Sequence, residues 1–101
     1  MSSFNEKIWK LMDKIPRGKI TTYKELARAA GNPLASRAVG NACNKNPNSP
    51  ATPCHRVVSS SGGIGGYAHG TKKKIQLLAK EGVEVVDGKV SDFENRLYKF
   101  K

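Results

Sequence analysis

The sequence predicts a small, mainly α-helical domain with short β elements: a winged helix-turn-helix-like three-helix bundle followed by a short C-terminal hairpin. Three observations carry this expectation. Two Ser/Thr-x-x-Glu patterns each head an apolar run, a Gly-Asn-Pro turn joins the second and third candidate helices, and Asp87-Gly88 separates two valine-containing runs. The 101 residues leave room for one core, so residues 1–101 are expected to form a single domain. Hydrophobic residues at 38% and charged residues at 26% place the chain among globular proteins rather than disordered or membrane-spanning ones.

Ser3-Phe4-Asn5-Glu6 reads as a capping box, and Phe4, Ile8, Leu11, Met12 and Ile15 then recur at helical spacing. Pro16 and Gly18 stop this helix at Ile15. Ile20-Thr21 is short and β-leaning. A second capping box, Thr22 to Glu25, opens a helix through Ala30, with Gly31 at its C′ position. Asn32 is expected to cap a third helix, Pro33 to occupy its first position, and the helix to run to about Asn44. After a loop from Lys45 to Pro53 comes Pro53-Cys54-His55-Arg56-Val57-Val58, then a stretch from Ser59 to Gly70 with five glycines. A helix from about Thr71 to Glu81 turns Ile75, Leu77 and Leu78 inward and ends at Gly82. The runs Val83–Val86 and Lys89-Val90 flank the hairpin turn, and the tail from Phe93 to Phe100 packs back through its apolar residues.

Eighteen Lys and Arg against eight Asp and Glu give a net charge of +10. The excess is local: from Lys14 to Lys80 there are twelve basic residues and one acid, Glu25, whereas Glu81 to Lys101 holds five acids and four bases. Such a stretch suits a face for a polyanion, nucleic acid first and an anionic membrane surface second. Lys72-Lys73-Lys74 reads as a solvated or phosphate-facing run. The third helix is unusual for a base reader, because Ala35, Ser36, Ala38, Gly40 and Ala42 are small and Arg37 is its one charged side chain. That composition suits close approach of its backbone to a partner, with Arg37 projecting, and it equally suits tight packing between helices.

Two cysteines, Cys43 and Cys54, are too few for a disulfide framework, and the chain shows neither a signal peptide nor an apolar run of membrane-spanning length. Both thiols are expected to be reduced, in the cytoplasm. With only His55 and His69 beside them and no C-x-x-C pair, a zinc site is not expected. Cys43 reads as a small core residue. Cys54 stands between Pro53 and His55 in the basic part of the chain, where a neighbouring base or positive charge favours a nucleophilic thiolate. Adjacent side chains of an extended segment point to opposite faces, so a water is the natural relay between Cys54 and His55. Glu81 could orient His55 as a third member, or stand on the surface.

Thr22-Tyr23-Lys24-Glu25-Leu26-Ala27, Gly31-Asn32-Pro33, Arg37-Ala38-Val39-Gly40, Asn46-Pro47 and Pro53-Cys54-His55-Arg56-Val57-Val58 follow one another in the order of the O6-alkylguanine-DNA alkyltransferases. Gly62, Gly65, Tyr67, Gly70, Lys74, Leu77-Leu78 and Glu81-Gly82 continue the match, so that the chain resembles this family over about residues 4–82. The resemblance implies cofactor-free repair. The family binds the minor groove of double-stranded DNA, flips the damaged nucleotide, and moves an alkyl group from O6 of guanine, or O4 of thymine, onto a cysteine. By position, Cys54 resembles the acceptor, His55 and Glu81 the relay, Asn46 the residue that positions loop and thiol, and Tyr23 the phenol that donates toward guanine. Arg37 resembles the finger that replaces the flipped base. Ala35, Ser36, Ala38, Gly40, Thr22 and Tyr23 fall on the DNA-binding side, and Tyr67, Val57, Ser60 and His69 around the substrate pocket. His69 stands where many relatives have a small residue, so it is expected to narrow the pocket in favour of methyl over benzyl-sized groups. A monomer in the cytoplasm, or in the nucleus of a eukaryote, is implied.

The resemblance also includes single-domain, basic alkyltransferase-like proteins. These typically hold Trp where this chain holds Cys54, and they bind damage without removing it, handing it to excision repair. A thiol is what the transfer reaction needs, so Cys54 favours the catalytic branch. A plain helix-turn-helix regulator, the other alternative, would prefer a sequence rather than a lesion.

Overall fold

The computed structural model describes residues 3–48, 51–67 and 69–100. Helices α1 (Phe4–Met12), α2 (Tyr23–Ala29) and α3 (Ser36–Asn44) pack on one another, and strand β1 (Thr21–Thr22) leads into α2. A single 3-10 turn, Cys54–Arg56, runs into β2 (Val57–Val58). Helix α4 (Thr71–Lys80), the hairpin β3 (Val85–Val86) and β4 (Lys89–Val90), and the one-turn helix α5 (Phe93–Arg96) complete the chain. Among the described residues no helix is long and apolar enough to cross a membrane.

The first capping box forms as the sequence predicts: the Ser3 hydroxyl accepts from Glu6 N–H and the Glu6 carboxylate accepts from Ser3 N–H. Helix α1 ends at Met12 rather than Ile15, because the next bonds tighten to Lys14 N–H to Leu11 C=O and Ile15 N–H to Met12 C=O ahead of Pro16. Ile15 stays buried. The second capping box is only half made. Thr22 accepts from Glu25 N–H, but the Glu25 carboxylate turns to Arg28 and to the N–H of Phe100, 75 residues away. Helix α3 begins three residues beyond the expected start, with Ala35 rather than Asn32 at its N-cap. Asn32 donates its N–H to Ala27 C=O and so belongs to the end of α2, leaving Pro33 in a turn closed by Ala35 N–H to Asn32 C=O.

β1 and β2 pair in parallel, Thr21 against Val57 and Thr22 against Val58. On its other side β1 is extended by the tail: Ile20 N–H donates to Arg96 C=O, Tyr98 N–H to Ile20 C=O, and the Thr21 hydroxyl to Tyr98 C=O. Successive residues of a strand face opposite ways, so β2 divides the interior in two. Val57 joins Ile8, Met12, Ile15, Leu26, Val39, Cys54 and Phe100 under the first three helices. Val58 joins Ile20, Ile64, Leu78, Val83 and Val90 under α4 and the hairpin. The hairpin forms as predicted, with positive φ at both Asp87 and Gly88, the requirement of a type I′ turn.

Candidate active site

Cys54 is the first residue of the 3-10 turn, buried between α3 and β2. The loop before it is tied down by Asn46, whose Nδ2 donates to Thr52 C=O at 2.7 Å while its Oδ1 accepts from Asn48 N–H at 2.9 Å. Cys54 N–H donates to the same Thr52 carbonyl at 2.9 Å. The side chain of Asn46 thereby fixes the entry of the chain into the thiol-bearing turn.

Cys54 opens onto a cavity of about 670 Å³. One wall is a face of α3, with Ser36, Gly40, Cys43 and Asn44 at helical spacing and Arg37 and Asn41 at the rim. Tyr23, Gly66 and Tyr67 complete the lining. Gly65 holds φ at +72°, and a Cβ there would lie 3.3 Å from Tyr23 Oη, so this loop needs glycine to approach the phenol. Burial pushes the Tyr23 hydroxyl up to about 12, reinforced by the nearby Cys43 and Cys54 sulfurs, and keeps it a neutral donor at physiological pH.

Behind Cys54 stands a second layer. His55 is buried, and its Nε2 lies 3.1 Å from Glu81 Oε2. Arg56 donates to both oxygens of the same carboxylate, Nε to Oε1 at 2.9 Å and Nη2 to Oε2 at 2.6 Å, and also to Ile15 C=O. Glu81 sits at the C-cap of α4, where Gly82 at φ +83° and Val83 close a Schellman motif onto Ala79 and Leu78. A carboxylate opposes the helix dipole at that end, and the Arg56 guanidinium offsets it. Burial acts to raise the Glu81 carboxyl, but the hydrogen bonds and charges of Arg56 and His55 outweigh it and hold the group below its ordinary value. His55 is held below its ordinary value by burial, reinforced by Arg56 and Lys74 and opposed by Glu81. It is therefore neutral near pH 7, with Nε2–H directed at Glu81 and the lone pair on Nδ1, which is buried without a hydrogen bond among the described residues.

Both depressed values act in the same direction on stability. An unfolded chain binds protons more readily than the folded one, at His55 as pH falls below about 6.5 and at Glu81 below about 4.3. Stability present above those unfolded values is lost as pH drops through the folded ones. Urea melts at stepped pH are expected to show a decline beginning near pH 6, and His55→Gln should remove this first limb while leaving the carboxylate limb below about pH 4. An unchanged first limb in His55→Gln would assign it elsewhere.

The structure brings together Cys54, His55, Glu81, Asn46 and Tyr23, and sets Ser36, Arg37, Gly40 and Tyr67 around the same cavity. Ala35 packs against the core and Ala38 is half-buried. Three expected pocket residues lie elsewhere. Val57 is buried in β2, Ser60 is exposed at a turn, and His69 is exposed, its ring edge-on to Tyr67 at 5.3 Å. His69 thus stands beside Tyr67, which itself lines the cavity. Thr22, expected at the DNA face, is buried with its hydroxyl occupied as the α2 cap. Cys43, expected only as core, also lines the cavity, and its thiol donates toward Met12 Sδ. Neither cysteine forms a disulfide. No cluster among the described residues could hold a metal ion.

Sequence reasoning missed Lys74. Among three consecutive lysines it is the one that points inward, fully buried, one helical turn before Leu78 on the same face of α4. That i, i+4 phase with Leu78 was the available signal. The Lys74 ammonium donates to Val57 C=O at 2.6 Å and Gly66 C=O at 3.0 Å.

Comparison with known proteins places the chain among DNA alkyltransferases and their DNA-binding relatives. The chain is 46% identical over 81 residues to the methylated-DNA–protein-cysteine methyltransferase of Methanosarcina acetivorans, covering 80% of this chain and 52% of that protein. It is 49% identical over 75 residues to the human protein of the same name, covering 74% and 36%. The chain thus spans about half or less of the length of these relatives. Among solved structures, S. pombe Atl1 in complex with damaged DNA containing O6-carboxymethylguanine superposes with a TM-score of 0.85 at 30% identity, covering 99% of this chain and 100% of that one. Mycobacterium tuberculosis OGT in complex with DNA superposes with a TM-score of 0.78 at 40% identity, covering 81% and 50%. The DNA-binding-domain profile of the 6-O-methylguanine DNA methyltransferases matches residues 3–83, and the chain belongs to that family.

Proposed function

We propose that this chain removes a methyl or small alkyl group from O6 of guanine in double-stranded DNA and keeps it on Cys54. The observation that carries this reading is the buried Cys54 at the floor of an open cavity, with the ordered His55–Glu81–Arg56 chain behind it. Neutral His55, its tautomer fixed by Glu81, takes the thiol proton through a bridging water onto Nδ1. The sulfur then displaces guanine from the alkyl carbon: the S–C bond forms as the O6–C bond breaks, and the electron pair of that bond passes to the purine. Tyr23 donates a hydrogen bond to the purine as negative charge develops there. His55 also borders a second groove, with Arg17, Arg56, Lys80 and Glu81, through which the proton can reach solvent. A thioether is a poor leaving group, so each molecule acts once and needs no cofactor.

DNA binding fits the +10 charge and the small-residue face of α3, which suits a minor groove about 6 Å wide. One monomer per lesion is the simplest stoichiometry. The logarithm of duplex affinity is expected to fall linearly with the logarithm of salt concentration, losing about tenfold or more between 50 and 200 mM salt for a few neutralised phosphates. Fluorescence anisotropy with a labelled duplex reads this, and a flat response would remove the basic face from the binding mode.

Intact-mass spectrometry after incubation with an O6-methylguanine duplex tests the function. A gain of about 14 Da on the wild type, absent from Cys54→Ala, is expected for transfer to that thiol. A second reading, lesion binding without transfer, is favoured by the end-to-end likeness to S. pombe Atl1. Lesion binding with no mass gain would establish it.

A further inference from the structure

Asn41 stands exposed on the rim of the cavity, one helical turn beyond Arg37 on the same side of α3. Its amide makes no side-chain hydrogen bond among the described residues, whereas the amide of Asn46 is committed to Thr52 C=O and Asn48 N–H. Gly40 precedes it on the same helix. A Cβ at Gly40 would meet nothing within 4 Å, so the fold has no steric need for glycine there. Glycine in a helix interior is unfavourable, and the side chain it omits makes room for something outside the chain. The surface beside Asn41 is therefore open, and its amide is free to meet whatever approaches.

On the reading above, Arg37 takes the place of a flipped nucleotide. Cβ atoms one helical turn apart are separated by about 5 to 6 Å, and stacked bases by about 3.4 Å. The Asn41 amide thus falls within the first two base pairs from the inserted guanidinium. In the minor groove an A·T pair shows only acceptors, adenine N3 and thymine O2, while a G·C pair adds the guanine N2 amino group as a donor. A carboxamide carries both an acceptor and donors. Against A·T only Nδ2–H finds a partner, and Oδ1 loses its water for nothing. Against G·C, Oδ1 accepts from guanine N2–H while Nδ2–H donates to guanine N3 or cytosine O2.

We propose that Asn41 reads the guanine N2 amino group of a base pair next to the lesion, so that this chain binds and repairs O6-alkylguanine preferentially in G·C-flanked sequence. This rests on the alkyl-transfer and minor-groove reading above. An amide that is merely solvated would contribute nothing to the choice between flanks.

The test compares duplexes that carry O6-methylguanine and differ only in the two pairs on either side of it. The flanks are G·C, A·T, inosine·C, which lacks the N2 amino group, and 2,6-diaminopurine·T, which adds that group to adenine. By anisotropy the G·C and diaminopurine·T duplexes are expected to bind about tenfold tighter than the other two, with repair at sub-saturating DNA faster to the same extent. Weakly paired neighbours ease flipping, so an effect of duplex strength alone runs the opposite way. In Asn41→Ala the ratio should fall to about one or below, and taking it within each protein cancels any loss common to all four duplexes. Asn41→Asp accepts but cannot donate, so it should bind every duplex more weakly and keep the preference. Lesion binding with a flat wild-type ratio, inosine behaving as guanine, or a ratio that survives in Asn41→Ala would each overturn the proposal alone. Lesion duplexes bound no tighter than undamaged ones would overturn the reading on which it rests.

Discussion

Glu81→Ala is expected to cost the fold about 3 to 5 kcal/mol, the usual penalty for breaking a buried ion pair by removing one partner. The carboxylate is 7% exposed, accepts two bonds from Arg56 and stands 3.1 Å from His55 Nε2, so its loss strands a guanidinium and an imidazole N–H together. Small domains have only about 5 to 15 kcal/mol to lose, and at this chain length each kcal/mol moves Tm by about 4 to 8 °C. Thermal unfolding should therefore fall by more than about 12 °C. Glu81→Gln should fall less, because the amide oxygen still accepts from Arg56, yet it should transfer alkyl groups about a hundredfold to ten-thousandfold more slowly. The amide cannot balance positive charge on His55 while the proton is held there. Wild-type transfer by a folded Glu81→Gln would remove Glu81 from the proposed relay.

Arg37→Ala is expected to separate two substrates. Arg37 is exposed at the cavity rim on α3, clear of the His55–Glu81–Arg56 chain. If its guanidinium fills the space of a flipped nucleotide, its loss restores an unstacking cost of a few kcal/mol, which at 1.4 kcal/mol per factor of ten predicts about a hundredfold slower repair of duplex DNA. Reaction with the free base O6-methylguanine involves no flipping and should change less than about threefold. Arg37→Lys should recover part of the duplex rate, since an ammonium keeps the charge but not the planar stacking surface. Equal losses on duplex and free base would place Arg37 in the chemistry or in the fold instead.

Features fixed by a few adjacent residues were legible in the sequence. Ser3 with Glu6, Asp87 with Gly88, and Gly82 after α4 each act within one turn, so their residue types specify their geometry. Features set by distant partners were not. Glu25 left its capping box because Phe100 N–H, brought in by the tail, competes for its carboxylate. Pro33 could not open α3 because the N–H of Asn32 was already committed to the end of α2. The site divides the same way. Cys54 and His55 are adjacent and announce themselves. Val57, Ser60 and His69 follow in sequence but do not converge on the cavity, because β2 turns Val57 into the core and the glycine-rich segment carries Ser60 and His69 outward. Lys74 was concealed by Lys72 and Lys73, since three like charges in a row read as solvated and only the helical phase shows which one turns inward.

The seam along β1 bears on how this chain folds. The strand is two residues long, and its neighbours come from far away: Val57 and Val58 on one side, and on the other Leu97 and Tyr98, the latter bonded to Thr21 across 77 residues of sequence. Contacts of such separation must close large loops before they return any energy, so the helices can form early while the seam waits. The same tail holds Glu25 and Arg28 of α2 through the backbone of Phe100. Setting of the helix-turn-helix and closure of the seam should then be one late, cooperative event. Pulsed hydrogen exchange would show it as simultaneous protection of the Ile20, Tyr98 and Phe100 amides, after those of α1.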